Sequence, residues 1–335
     1  MIEKKRVALI FGGRGLEHPV SVSGAKNLLS LLDGERYETL PLLISESGDF
    51  YIHSPYSTSA PTNPVCPINR GGRGGVITEG GEFIAIDCAI PLLHGDHGED
   101  GEAQGLLSAL RIPFVGSDAR ASAVCLDKAV TKSVAESLGI PTVPWRLLTE
   151  GDGTHGVDLP AFVKPNILGS SYGASEARNE EELERAVRAA RDVGDGRVLA
   201  ERLVSPIREL ECAYFSAQGE TLVTPAGEIL CNGFYSYDKK YSNLSAPVLA
   251  KAELPKSIGD ELRSHAERLC RFIGIRHLAR IDFFLSGDAL YFNEINTLPG
   301  MTENSLYLKL LDSAGISPEE AVTRLVSDAI AEGAP

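Results

Sequence analysis

The chain has 335 residues, 43% of them hydrophobic and 23% charged, which is enough for two or three ordinary cores and too apolar for a disordered segment. Its 32 Lys and Arg against 46 Asp and Glu leave a formal charge of −14, which argues against nucleic acid or an anionic membrane surface as a partner. Six cysteines with no CxxC pair exclude a disulfide framework and thiolate zinc spacing, and no apolar run nears the roughly 18 residues of a membrane span.

The opening MIEKKRVALIFGG reads as a first strand (6–11) closed by Gly12-Gly13 and not as a signal peptide, so a cytoplasmic location with reduced thiols is expected. A helical pattern follows over about 20–32, with Gly34 placed as its C-cap, then a strand at 37–44. Residues 54–81 are rich in Ser, Pro and Gly and predict a hairpin-and-loop excursion. Strand (88–92), helix (102–110) and strand (113–115) resume the alternation, so 1–121 is expected to be an open parallel α/β domain. A long helix (121–138), strands at 146–149 and 161–164, a charged helix (179–192) and a strand (197–202) predict a small α+β unit over 122–210. The remainder, 211–335, carries alternating strands, a polar loop (232–247), a long helix (254–273), strands at 277–285 and 289–294, and two closing helices.

The richest chemistry lies near the end. Two strands joined by Ser286-Gly287-Asp288 make Asp282 and Glu294 near cross-strand neighbours, and Glu294 and Asn296, two apart, share a face. Two carboxylates and an amide oxygen form a hard-oxygen set suited to Mg²⁺. A solvated strand face is the alternative, and the apolar flanks of both strands favour the inward-facing reading. Lys164 ends a strand before a loop containing Gly169, Ser170 and Ser171, which can set an ammonium and backbone N–H groups around phosphate. Because the lysine precedes the glycines this is not a Walker A sequence, and a plain turn is the competing reading. Glu201 and Glu209 offer carboxylates to an adenine amino group and ribose hydroxyls, although either alone reads as a surface charge. The glycines of the segment from Gly12 to His18 do not fit GxGxxG, which disfavours a dinucleotide oxidoreductase, but the following helix N-terminus suits a carboxylate. The loop from His94 to Gly101 is rich in metal-ligand types, yet histidines three apart in a glycine-bearing loop chelate zinc poorly, and Asp100-Gly101 reads as a structural turn.

The strings GGRGLEHPVS, HGDHGEDGEAQG, LDKAVTK, FVKPNILGSSYG, IRELECA, FYSYDKKY, ARIDFF and NEINTLPGMTENSLYLKL resemble, in order and spacing, the D-alanine–D-alanine ligase family over about 7–315. The resemblance implies a three-domain ATP-grasp fold and ATP-dependent ligation of two D-alanines through a D-alanyl phosphate. It implies Lys128 and Lys164 as phosphate-contacting lysines, with Ser170, Ser171 and Lys240 as further nucleotide contacts. Glu201 and Glu209 are implied for adenine and ribose, and Leu203 for the purine. Asp282, Glu294 and Asn296 are implied as ligands of two Mg²⁺ ions, with Mn²⁺ as an alternative. Glu17 would hold the first substrate's ammonium beside His94. Arg280 and the Gly300 backbone would stabilise the tetrahedral oxyanion, and Ser305 and Leu306 would receive the second substrate. Ser170 and Tyr241, with Glu17, would tie the 232–247 loop over the closed site.

Departures from the family pattern are Arg14, the triplet Asn166-Ile167-Leu168, and Asp96-His97. Leu306 and the loop reading Asp-Lys-Lys-Tyr favour D-alanine over D-lactate as second substrate, with a D-serine or natural-product ligase as the alternative. A regulator that kept the fold without turnover is disfavoured by the intact Asp282, Glu294, Asn296 and Arg280 set. The resemblance further implies a homodimer.

Overall fold

The computed structural model describes residues 4–169, 172–230, 248–249 (backbone) and 251–333. Three sheets follow one another along the chain. Strand β1 (Lys5–Gly12) lies between β2 (Tyr37–Ile44) and β7 (Cys88–Pro91) and pairs in parallel with both. Its apolar run does not alternate with polar residues because both faces are covered. Val7, Leu9 and Phe11 enter one core, with α1 (His18–Leu31), while Ala8 and Ile10 enter another.

The Ser/Pro/Gly-rich excursion forms strands of its own. β3 (Phe50–Ile52), β4 (Pro64–Arg70), β5 (Arg73–Thr78) and β6 (Phe83–Ala85) extend the sheet beyond β2 in antiparallel fashion. The parallel part is thus β2-β1-β7, continued at 113–115 by a single parallel bridge between Ala89 and Phe114. Helix α1 starts and stops earlier than the sequence pattern suggests. Leu32, extended at ψ 128°, is its C-cap, so Gly34 lies beyond in the following turn.

The long helix expected over 121–138 is two helices, α3 (Ala119–Leu126) and α4 (Lys128–Ser137), broken at Asp127. Asp127 adopts ψ 101°, and its carboxylate accepts the Val130 N–H, satisfying a donor that a helix N-terminus leaves open. Arg197 holds the same carboxylate at 2.7 Å. The new N-terminus docks on Asn166, whose backbone oxygen accepts from Lys128 N (3.1 Å) and whose Oδ1 accepts from Ala129 N (3.0 Å). That gives a structural reason for one residue of the unusual 166–168 triplet.

The second sheet orders β10 (Ser175–Ala177), β9 (Ala161–Pro165), β11 (Val198–Arg202) and β8 (Trp145–Leu148), with α5 (Glu180–Val193) on one face. The third contains β12 (Arg208–Ala217), β13 (Glu220–Val223), β14 (Gly227–Ile229), β15 (Val248–Leu249), β16 (Leu278–Ser286) and β17 (Ala289–Asn296). One face of this sheet carries α6 (Lys256–Ile273), and α3 and α4 join the same core through Ala121, Cys125 and Ala135. The closing helices α7 (Leu306–Ser313) and α8 (Pro318–Glu332) share a core with β1, α1 and β7. The sheets are therefore distinct while their cores interlock.

Candidate active site

Register on the third sheet assembles a row of charges. Glu211 on β12 is opposite Asp282 on β16, which is opposite Glu294 on β17; Arg280, two residues before Asp282, is opposite Asn296. Neighbouring strands lie about 4.8 Å apart, so three carboxylates stand side by side and repel unless cations intervene. Arg280 binds both oxygens of Asp282, at 2.8 and 2.7 Å, and lies 3.2 Å from Glu211. Burial works against the guanidinium's charge, but Asp282 and then Glu211 outweigh it and push its pKa further up. Lys128, at the first position of α4, lies 3.4 Å from Glu294 and donates to the Leu168 carbonyl at 2.7 Å. Asn296 accepts from Leu298 N at 3.0 Å.

The pairing of β16 with β17 shifts between Asp282 and Phe283, so the register skips Asn293. A bulge of this kind re-aims a side chain that strict alternation would send to the other face. Asn293 Oδ1 accepts from Lys164 Nζ at 3.1 Å, and Lys164 also pairs with Glu201 at 2.9 Å. Glu201 is no surface charge: it is buried between two lysines, with Lys132 at 2.7 Å from its other oxygen. Burial alone would raise its carboxyl, but Lys132 and Lys164 bring it down to about 2.

Between the second and third sheets lies a cleft of about 380 Å³. Lys128, Lys164, Glu201, Glu209, Asp282 and Glu294 all line it, as do Leu203 and the apolar Phe162, Ile207 and Ile229. The Leu203 N–H is engaged with the Pro160 carbonyl at 2.8 Å. Ammonium groups and hard-oxygen donors at one end, with apolar walls at the other, suit a triphosphate and a flat base.

A second group of expected residues gathers on the side of the first sheet. Gly12 makes the turn after β1 at φ 91°, where an added Cβ would lie 2.3 Å from the Ile44 carbonyl, and its N–H donates to buried Ser21 Oγ at 2.7 Å. The loop that follows delivers Glu17 against Gly95 and Gly169, where added Cβ atoms would come within 3.0 and 3.4 Å of Glu17 Oε2. His94 Nδ1 lies 3.1 Å from the Leu298 carbonyl, which can only accept, so Nδ1 carries the proton and Nε2 is the acceptor. Nε2 is buried and finds no hydrogen-bond partner among the described residues. Burial lowers the His94 pKa against the pull of Glu17, which keeps the ring neutral. Ser305 Oγ accepts from Thr302 N at 2.9 Å and lies where a Cβ on Gly300 would meet it at 3.0 Å. Leu306 is buried in the core shared by α1, α7 and α8.

Ser170, Ser171, Lys240 and Tyr241, and the 232–247 loop expected to close over the site, lie outside the described residues. Sequence reasoning missed Glu211, Asn293 and Lys132. Glu211 is two residues from Glu209 on the same strand, and Lys132 is four from Lys128 on one helix, so periodicity was the available signal. Nothing in the sequence announced the bulge that recruits Asn293.

Asp100-Gly101 is the turn expected there: Gly101 has φ 100°, and Asp100 accepts from the His97 and Glu102 N–H groups at 2.9 Å each, at the start of α2 (Glu102–Ala109). Buried Glu99 accepts from Gly95 N (2.7 Å) and Leu298 N (3.4 Å). Burial first, and the Glu17 charge second, push its carboxyl from 4.5 up to about 8. A raised folded pKa means the native state keeps a proton that the unfolded chain has released, so stability falls as pH climbs from 4.5 to about 8. Glu99→Gln is expected to remove that slope. Thermal melts at about pH 5 and about pH 9 check it: the Tm difference should move in the variant's favour at the higher pH.

The nucleotide-sized cleft between two sheets, with lysines from α4 and β9 and oxygen donors from β12, β16 and β17, defines the class: an ATP-grasp ligase. Family models described as the D-ala D-ala ligase N-terminus and C-terminus match residues 6–117 and 134–327. The chain belongs to the D-alanine–D-alanine ligase family. A D-alanine–D-alanine ligase from Deinococcus radiodurans is 36% identical, with 98% of this chain and 99% of the relative covered. The solved D-alanine–D-alanine ligase of Coxiella burnetii superposes with a TM-score of 0.87 at 29% identity, over 98% of this chain and 95% of that one. The VanG D-Ala:D-Ser ligase of Enterococcus faecalis gives 0.86 at 26% identity, over 98% and 100%.

Proposed function

We propose that the chain joins two D-alanine molecules at the expense of ATP, supplying D-alanyl-D-alanine for peptidoglycan precursors in the cytoplasm. The observation that carries this is the single cleft where Lys128 and Lys164 face Asp282 and Glu294. The domains are taken as 1–121, 122–210 and 211–335, each built around one sheet although the last boundary falls within β12 (Arg208–Ala217), with a homodimer as the assembly.

A carboxylate is a poor electrophile at neutral pH, so one D-alanine carboxylate first takes the γ-phosphoryl group of ATP, releasing ADP. The second D-alanine's amine then attacks the acyl carbon, and phosphate leaves with the bonding electrons. Such transfers depend on positioning and charge neutralisation. Lys128 and Lys164 bind phosphate oxygens, and Glu209 meets the ribose. Glu17 and the unprotonated Nε2 of His94 receive the first substrate's ammonium. Arg280, with the Gly300 N–H, stabilises the oxyanion, while Ser305 and Leu306 border the second substrate.

Asp282, Glu294 and Asn296 fit Mg²⁺ because the donor set is all oxygen and the carboxylates are crowded; Glu211 adds a fourth oxygen donor beside them. Two Mg²⁺ ions, or Mn²⁺, supply charge neutralisation of the phosphates when bound there.

The likeness to a D-Ala:D-Ser ligase makes D-serine the competing second substrate. Mg-ATP with D-Ala, D-Ser, D-lactate or L-Ala, read by ADP release and product mass, decides. D-Ala alone should yield the dipeptide. No ADP with any D-substrate would overturn the ligase reading, and D-Ala–D-Ser as main product from a mixture would reassign the second site.

A further inference from the structure

Lys132 does not line the nucleotide cleft, yet it belongs to the cleft's charge system. The break at Asp127 starts α4 at Lys128, and Lys132, one turn later, points into the same interior. Its side chain is 0% exposed. A wholly buried ammonium is tolerated when it is paired, and its partners are Glu201 at 2.7 Å and the Phe292 carbonyl at 3.5 Å. Burial pulls the ammonium's pKa down, and Glu201 opposes that pull.

Glu201 bridges two cations. One oxygen meets Lys132 from behind, and the other meets Lys164, which lines the cleft. One carboxylate balances one ammonium. With Lys132 present the trio keeps a surplus positive charge, and the ammonium on the cleft side is Lys164. The Lys164 ammonium has three N–H bonds; Glu201 and Asn293 face two of them. Without Lys132, Glu201 would need the whole of Lys164 for its own neutralisation.

We infer that Lys132 is a positioning residue for nucleotide binding: it saturates Glu201 from the buried side so that Lys164 keeps its charge for the phosphates. This rests on the reading of Lys164 as a phosphate contact.

The test compares Lys132→Met, Lys132→Arg, Glu201→Gln, the double variant Lys132→Met/Glu201→Gln, and Lys164→Ala, each checked for folding by circular dichroism and thermal melt. In folded Lys132→Met, KM and Kd for Mg-ATP should rise about tenfold, the worth of one charge-assisted hydrogen bond, while KM for D-alanine stays within about twofold. Lys132→Arg should recover part of the ATP affinity. The double variant should bind ATP about as well as Glu201→Gln alone, because the carboxylate that would capture Lys164 is gone. A purely structural role predicts that losing Lys132 weakens ATP binding as much in the Glu201→Gln background as in the wild type, and that result overturns the inference, as does unchanged ATP affinity in folded Lys132→Met. If Lys132→Met does not fold, the double variant decides: an ATP Kd within about threefold of that of Glu201→Gln supports the inference, and one raised about tenfold or more above it overturns it. Lys164→Ala separates the two readings. An unchanged ATP Kd there sinks the phosphate assignment itself, whereas a raised one beside an unaffected Lys132→Met sinks the positioning role alone.

Discussion

Glu294→Gln is expected to lower kcat by about 10²–10³-fold while weakening ATP binding less than Lys164→Ala does. The glutamine keeps an oxygen and the shape of the side chain but loses the charge. In the row Glu211, Asp282, Glu294 each carboxylate faces the next across the sheet, so removing one charge relieves repulsion in the resting protein. The same change removes the ion pair of Glu294 with buried Lys128 at 3.4 Å, so the two effects offset, folding should survive and Tm should change little. What is lost is attraction for the cations that must neutralise a transferring phosphoryl group, an effect concentrated in the transition state. Lys164, in contrast, meets phosphate oxygens in the ground state as well, so its removal should appear chiefly in Kd. Steady-state ADP release gives kcat, and calorimetric titration with ATP gives Kd. The reverse order of effects would undo the metal-ligand assignment.

Arg280→Ala is expected to cost about 3–5 kcal/mol of stability and to abolish measurable ligation. The guanidinium is the counter-charge of both Asp282 and Glu211, binding the former through two parallel contacts at 2.8 and 2.7 Å. Alanine leaves two largely buried carboxylates next to a third. A divalent cation can take over that neutralising role in the fold, so Mg²⁺ should raise Tm by more in the variant than in the wild type. It should not restore turnover, because the donor aimed at the developing oxyanion is gone. Equal Mg²⁺ responses in the two proteins would remove the claim that arginine and metal answer to the same carboxylates.

What the sequence disclosed follows from how local the cause was. Strand β2 was legible at both ends, residues 37–44, because a turn precedes it and Ser45 and Gly48 follow. The nearness of Asp282 and Glu294 was legible because a short turn joins their strands, but their direct opposition was not: the turn's own register would put Asn293 opposite Asp282, and the bulge moves Glu294 there. The break at Asp127 was not, since the helical pattern of 121–138 runs through it and Asp127 gains its second partner from Arg197, 70 residues away. The burial of Glu201 was hidden for the same reason. A charged residue at a strand end reads as exposed until the two lysines that bury it are brought from elsewhere. The antiparallel strands β3–β6 were visible as a departure from the parallel rhythm, but their attachment to the edge of β2 was a tertiary fact.

The interlocking of the last helices with the first strand has a consequence for synthesis. Val7, Leu9 and Phe11 share a core with Val322, Leu325 and Val326, and contacts span up to about 290 residues of chain, as between Tyr37 and Ser327. The N-terminal sheet cannot finish burying one face until α8 has left the ribosome, and until then that face is a sticky intermediate in need of cover. A chain released early, before residue 318, should lose solubility well before it loses any residue of the nucleotide cleft.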